Sequence, residues 1–100
     1  MAIYEYNELL FDWDENKNQI NIKKHKISFE EAASVFSDLD AVIVPDTEHS
    51  YGEERFIIIG FSRSDRLLTV CHCERDDGKI MRIISARKAI DKEKKLYGGF

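Results

Sequence analysis

The run Arg82-Ile83-Ile84-Ser85-Ala86-Arg87-Lys88-Ala89 holds the residues best equipped for chemistry in this chain. Its isoleucines belong in a sheet, whereas Arg82 and Arg87 carry permanent planar cations that are buried only against an anion. A strand of this kind delivers charge to a site, and a guanidinium fork grips phosphate or carboxylate oxygens in pairs. The competing reading is two surface arginines bonded to nearby carboxylates, and residue types alone leave both open. Alternation puts Arg82 and Arg87 on opposite sides of an unbroken strand. They converge only if the strand twists or turns between them.

Cys71-His72-Cys73 is a second cluster with chemical potential. The two thiols share a strand face at a spacing near the outer limit of disulfide geometry, and alternation sends His72 to the opposite face. Zinc-site spacings are absent, so the thiols read as core and no metal is expected. No glycine-rich phosphate loop or nucleotide fingerprint is present, so no cofactor is expected either.

The elements that must position these residues follow from pattern. Leu9 to Trp13 reads as a short strand after a frayed start. Asp14 can cap a helix over Glu15 to His25, with Glu15 early and Lys23, Lys24 and His25 late, an order that suits the helix dipole. Ser28 with Glu31 forms a capping box, and Phe29, Ala32, Ala33 and Phe36 recur at helical spacing, predicting a second helix over Phe29 to Phe36. A brief β-prone run spans Ala41 to Val44 and stops at Pro45-Asp46. Strands are expected over Arg55 to Ser62, Arg66 to Glu74 and Lys79 to Ser85, the last two joined at Asp76-Asp77-Gly78, the strongest hairpin signal here. Ala86 to Tyr97 has helix propensity, which places Arg87 at the start of a final helix ended by Gly98 and Gly99. The expected architecture is α+β: two N-terminal helices, an antiparallel sheet of three to four strands, and a C-terminal helix.

One hundred residues suffice for one core, and residues 1–100 are expected to form one domain. No apolar run approaches the length of a membrane span, and the N-terminus lacks the order of a signal peptide, so a cytoplasmic protein without a membrane partner is expected. The net charge of -4 argues against indiscriminate nucleic-acid binding. Charge is nonetheless segregated: residues 27 to 54 hold eight acids and no Lys or Arg, while residues 55 to 97 hold eleven bases against six acids. Such a chain can meet an anion with its later half and a basic partner with the earlier one.

Several fragments stand in one register: Phe11-Asp12-Trp13-Asp14 with Lys17; Lys24-His25 before Ile27 and Phe29; Glu31-Ala32-Ala33 with Val35-Phe36; Glu54-Arg55 with Gly60; and Arg82 through Arg87. In this order and spacing the chain resembles the BrnT family of small bacterial toxins from type II toxin-antitoxin systems. The resemblance implies a RelE-like fold, a ribonuclease that halts translation, and a BrnA-like antitoxin whose complex with the toxin binds operator DNA. Metal-free RNA cleavage uses the ribose 2′-hydroxyl as nucleophile. The protein must then accept one proton, supply another and stabilise charge on phosphorus. Within that function Arg82 and Arg87 are the candidates for phosphate stabilisation, and His72 with Glu74 on its strand face for proton transfer. Lys24, His25, Arg55, Arg75 and Lys88 are candidate RNA contacts. For His25, capping of its helix remains an alternative, and for Arg55 a structural ion pair. His49, in an acidic loop, reads as surface. A non-enzymatic α+β module that binds protein or nucleic acid through the same arginines is the alternative function.

Overall fold

Asp14 opens the first helix by accepting hydrogen bonds from the backbone N–H groups of Asn16 and Lys17, and the helix runs over the expected Glu15–His25. It stops where Lys26 turns left-handed at φ 62° and donates its N–H to Ile22. Ser28 caps the next helix by accepting from the Glu31 N–H.

The computed structural model describes residues 2–50 and 52–99. In chain order the elements are β1 (Tyr4–Tyr6), β2 (Leu9–Asp12), α1 (Glu15–His25), α2 (Phe29–Ser34) with a 3-10 turn at Val35–Ser37, β3 (Val42–Pro45), β4 (Phe56–Phe61), β5 (Leu67–Arg75), β6 (Ile80–Lys88) and α3 (Asp91–Leu96). The architecture is α+β with a mixed sheet of six strands in the order β1-β2-β6-β5-β4-β3.

The structure corrects the expected architecture in three places. The chain begins with a β-hairpin and not with helices, because Asn7 and Glu8 adopt φ of 52° and 71° and fold β1 back on β2. The sheet is larger than expected and is not purely antiparallel, since β2 pairs parallel to β6 through Leu10↔Ile80, Phe11↔Met81 and Asp12↔Arg82. A parallel partner some seventy residues away leaves no local trace in a sequence. The helix expected from Ala86 is strand as far as Lys88, because Ala86, Arg87 and Lys88 pair with Val70, Thr69 and Leu68. Ladder bonds and burial there outweigh the helix propensity of Ala86-Arg87-Lys88.

Helices α1 and α2 cover one face of the sheet. Ile58, Leu68, Val70, Ile83 and Ala86 from the strands meet Phe11, Ile27, Phe29, Ala32, Ala33 and Val35, all buried. Gly60 lets β4 pass close to the turn after α2, where a Cβ would meet Val35, Asp38 and Ala41 at 3.0–3.1 Å. Helix α1 docks through buried asparagines instead of an apolar stripe. The Asn21 amide accepts from Ala86 N–H and donates to Ala86 C=O, both on the edge of β6 beyond the segment paired with β2. A side-chain amide here takes the place of a neighbouring strand, which satisfies backbone groups that would otherwise be buried unpaired. Asn18 likewise accepts from Phe29 N–H and fixes α2 against α1.

Candidate functional site

Position along β5 decides which residues reach the open face. Leu68, Val70 and His72 point toward the helices, while Thr69, Cys71 and Cys73 alternate to the other side, where they meet Glu93, Asp46 and Glu53. Residues facing each other across a ladder share a face. Arg87 lies opposite Thr69, Ser85 opposite Cys71, and Arg82 opposite Cys73, while His72 faces Ile83. Ile84 is skipped, which is a β-bulge in β6. That extra residue reverses the parity between Arg82 and Arg87 and brings both to the open face.

Arg87 is the best-held of these groups. Its two terminal nitrogens donate to the two oxygens of Glu93, each at 2.8 Å. Glu93 also accepts from Thr69 Oγ1 and from Ile90 N–H, both at 2.9 Å. Burial raises the Glu93 pKa, but the bonds from Arg87, Ile90 and Thr69 outweigh it and hold the carboxyl at about 2. The buried acid therefore stays charged and fixes the arginine. Arg87 keeps 40% of its side chain exposed and lines a recess of about 160 Å³ with Arg55, His49, Cys71 and Ser85. The recess shares Arg87, Asp46, His49 and Ile57 with an adjoining groove of about 520 Å³, walled by β3 and α3.

Arg55 enters the recess from the start of β4. Its Nε lies 3.7 Å from Glu53 and makes no hydrogen bond among the described residues. That nitrogen is closed off from solvent, so an anion in the recess meets Arg55 through the exposed 27% of its side chain. Lys24 and His25 line a smaller hollow of about 210 Å³ that shares Ile84 and Ser85 with the recess, so they approach the bulge from the helix side.

The remaining candidates lie elsewhere. Arg82 is bonded to Asp12 at 3.3 Å, and Arg75 is bonded to Glu53 at 2.6 Å in a separate hollow that includes Glu74. Lys88 ends β6 opposite Leu68, exposed. His72 is on the helix-covered face, 3% exposed, with Phe36 and Phe56 against its ring. Burial pushes its imidazole down to about 4. The structure brings neither His72 nor Glu74 to the groove that holds Arg87 and Arg55. It also does not gather all the arginines into one pocket: Arg75, Arg82 and Arg87 each meet a carboxylate of their own.

A histidine set aside by the sequence stands in the groove instead. His49 Nδ1 lies 3.0 and 3.1 Å from the two carboxylate oxygens of Asp46, and Asp46 is 7% exposed. The signal available was the spacing itself. Pro45 stops β3, and an Asp followed three residues later by a His is turn spacing that brings the two side chains together. Cys71 Sγ contacts the same carboxylate at 3.6 Å. Burial above all, reinforced by the Asp46 charge, raises its pKa to about 11 and keeps it a neutral thiol.

Fold and groove together define a small α+β protein that presents guanidinium groups on the open face of a mixed sheet. Residues 13–93 match the family described as ribonuclease toxin, BrnT, of type II toxin-antitoxin system, and the chain belongs to that family. The fold is similar to the crystal structure of the Brucella abortus ribonuclease toxin BrnT, with a TM-score of 0.62 and 26% sequence identity over 81% of this chain and 96% of that one. No curated protein matches the sequence.

Proposed function

We propose that this chain is a cytoplasmic endoribonuclease toxin, acting as a single domain, that cleaves RNA without a metal ion and thereby halts translation. A BrnA-like antitoxin neutralises it, and the complex binds operator DNA; these partners, like the RelE-like classification of the fold, come with the family resemblance. The observation that carries the reading is the meeting of Arg55 and Arg87 in one recess on the open sheet face of a BrnT-family chain. There the exposed parts of Arg55 and Arg87 receive the scissile phosphate, and the charge growing on its oxygens in the transition state strengthens both contacts. Lys24 and His25 extend the contact along the RNA backbone past the bulge, with Lys88, Arg75 and Arg82 as outlying cations.

The test is cleavage of RNA by the purified chain with and without a chelator. Cutting that persists with chelator supports the proposal. Cutting that stops and returns with added magnesium overturns its metal-free part, and intact RNA under both conditions overturns the nuclease reading.

The second reading is a non-catalytic module that uses the same groups to bind a partner. It is favoured by the ion pairs Arg87–Glu93, Arg82–Asp12 and Arg75–Glu53, which neutralise much of the basic charge before any ligand arrives. Under that reading Arg87→Ala loses complex formation and the wild-type chain never cuts.

A further inference from the structure

We propose that His49, oriented by Asp46, is the group that takes the proton from the ribose 2′-hydroxyl; this rests on the nuclease reading above and names the base for it. The sequence candidate for that task, His72, is enclosed between Phe36 and Phe56 on the other face and cannot meet a phosphodiester held by Arg55 and Arg87.

His49 meets the requirements that His72 fails. Its side chain is 58% exposed, and it lines both the recess and the adjoining groove with Arg87. A carboxylate can only accept a hydrogen bond, so the Asp46 contact puts the ring proton on Nδ1 and leaves the Nε2 lone pair free to act as a base. The loop that carries the pair is fastened to itself and to the sheet. Asp46 N–H donates to Arg55 C=O at 2.9 Å, Ser50 Oγ donates to Asp46 C=O at 2.6 Å, and Arg55 N–H donates to Ser50 Oγ at 3.1 Å. The imidazole is therefore held by a loop tied directly to the residue that carries the Arg55 guanidinium. An oriented base and an arginine that can hold phosphate are both needed for in-line attack, and one recess supplies them.

In the reaction the 2′-hydroxyl loses its proton to Nε2 as its oxygen bonds to phosphorus. The bond from phosphorus to the 5′-oxygen breaks, and a water supplies the proton that this oxygen takes on leaving. The products are a 2′,3′-cyclic phosphate and a 5′-hydroxyl, and no oxidant or reductant is required. Asp46 acts through His49 and is a positioning residue.

Other charged groups also face the imidazole, and the test must separate them from it. They are Asp46 and Glu48 on its own loop, Arg55 just before β4, Arg87 on β6, and Lys92 with Glu93 on α3, with the neutral but titratable thiol of Cys71 on β5 beside them. The experiment compares wild type with His49→Ala in single-turnover cleavage of an RNA oligonucleotide across pH, with and without added imidazole. Binding is measured separately on a 2′-O-methyl RNA that cannot be cut. His49→Ala is expected to bind that RNA within about twofold of wild type and to cut about a hundredfold or more slowly. It should also lose the acid limb of the rate profile and regain about tenfold in rate with imidazole, which a structural role for His49 would not produce. Asp46→Asn should lower kcat with KM unchanged. Equal rates for wild type and His49→Ala, or a folded His49→Ala that imidazole does not rescue, overturn this inference and leave the nuclease reading standing. A wild-type chain that cuts nothing overturns both.

Discussion

The two faces of the sheet hold a histidine each and treat it in opposite ways. On the helix-covered face His72 lies among aromatic rings, its Nδ1 has no hydrogen-bond partner among the described residues, and burial pushes its pKa to about 4. On the open face His49 is half-exposed and its Nδ1 is bonded to a carboxylate. The same contrast runs through the polar groups around them. On the covered face, Asn18 and Asn21 make fixed bonds to backbone that hold elements together. The open face collects ion pairs whose arginines still reach solvent. A face closed by helices can hold a polar group only by fixing or neutralising it, whereas an open one can keep charge available for a ligand.

Removing the bulge is the largest expected perturbation of this division. Deletion of Ile84 restores unbroken alternation in β6, so either Arg82 or Arg87 is driven into the covered face and the hydrophobic register is lost on one side. The variant should show no cooperative thermal unfolding by circular dichroism. A cooperative transition near that of wild type would mean the bulge does not set the parity.

Acid should attack the covered face first. His72 titrates near 6.5 when unfolded and near 4 when folded, so the unfolded chain binds its proton earlier. Stability from this group is full above pH 6.5 and falls by roughly 3 kcal/mol as pH drops toward 4. Glu93, at about 2 against an ordinary 4.5, keeps its contribution until pH falls below 4.5 and loses it toward 2. Urea unfolding across pH should show the two declines in that order, and His72→Phe should remove the first alone. A decline between pH 6.5 and 4 that survives His72→Phe would assign it to another group.

Arg87→Ala comes next, with an expected loss of about a hundredfold in cleavage, or about 2.7 kcal/mol in barrier. It also strands Glu93, which is 6% exposed, so stability should fall as well. The double variant Arg87→Ala/Glu93→Gln separates the two effects. Unfolding measurements should show its stability recovered while cleavage stays low; cleavage that returns with stability would make Arg87 purely structural. The smallest effect is expected of Thr69→Val, which removes one of the bonds into Glu93 and should cost about 1 kcal/mol by the same unfolding assay. It should leave RNA affinity unchanged.

Local signals settled what local physics controls. Asp14 and Ser28 set the starts of α1 and α2 because a cap needs only a few neighbouring residues. Asp76-Asp77-Gly78 set the β5–β6 hairpin, with all three residues at positive φ. The family resemblance was legible in residue types and their order. Where Arg87 sits was not, since its helix propensity yields to pairing with Thr69 on β5.

Sequence by itself thus determined the α+β class, the caps, the meander and the supply of cations in the later half. Only tertiary structure decided the parallel β2–β6 pairing, the bulge that puts Arg82 and Arg87 on one face, and which of three histidines stands beside Arg87. These are agreements between residues far apart in the chain, such as Asp12 with Arg82 or Cys71 with Asp46. Their free energy exists only once the intervening chain has closed, so no window of neighbouring residues carries a record of them.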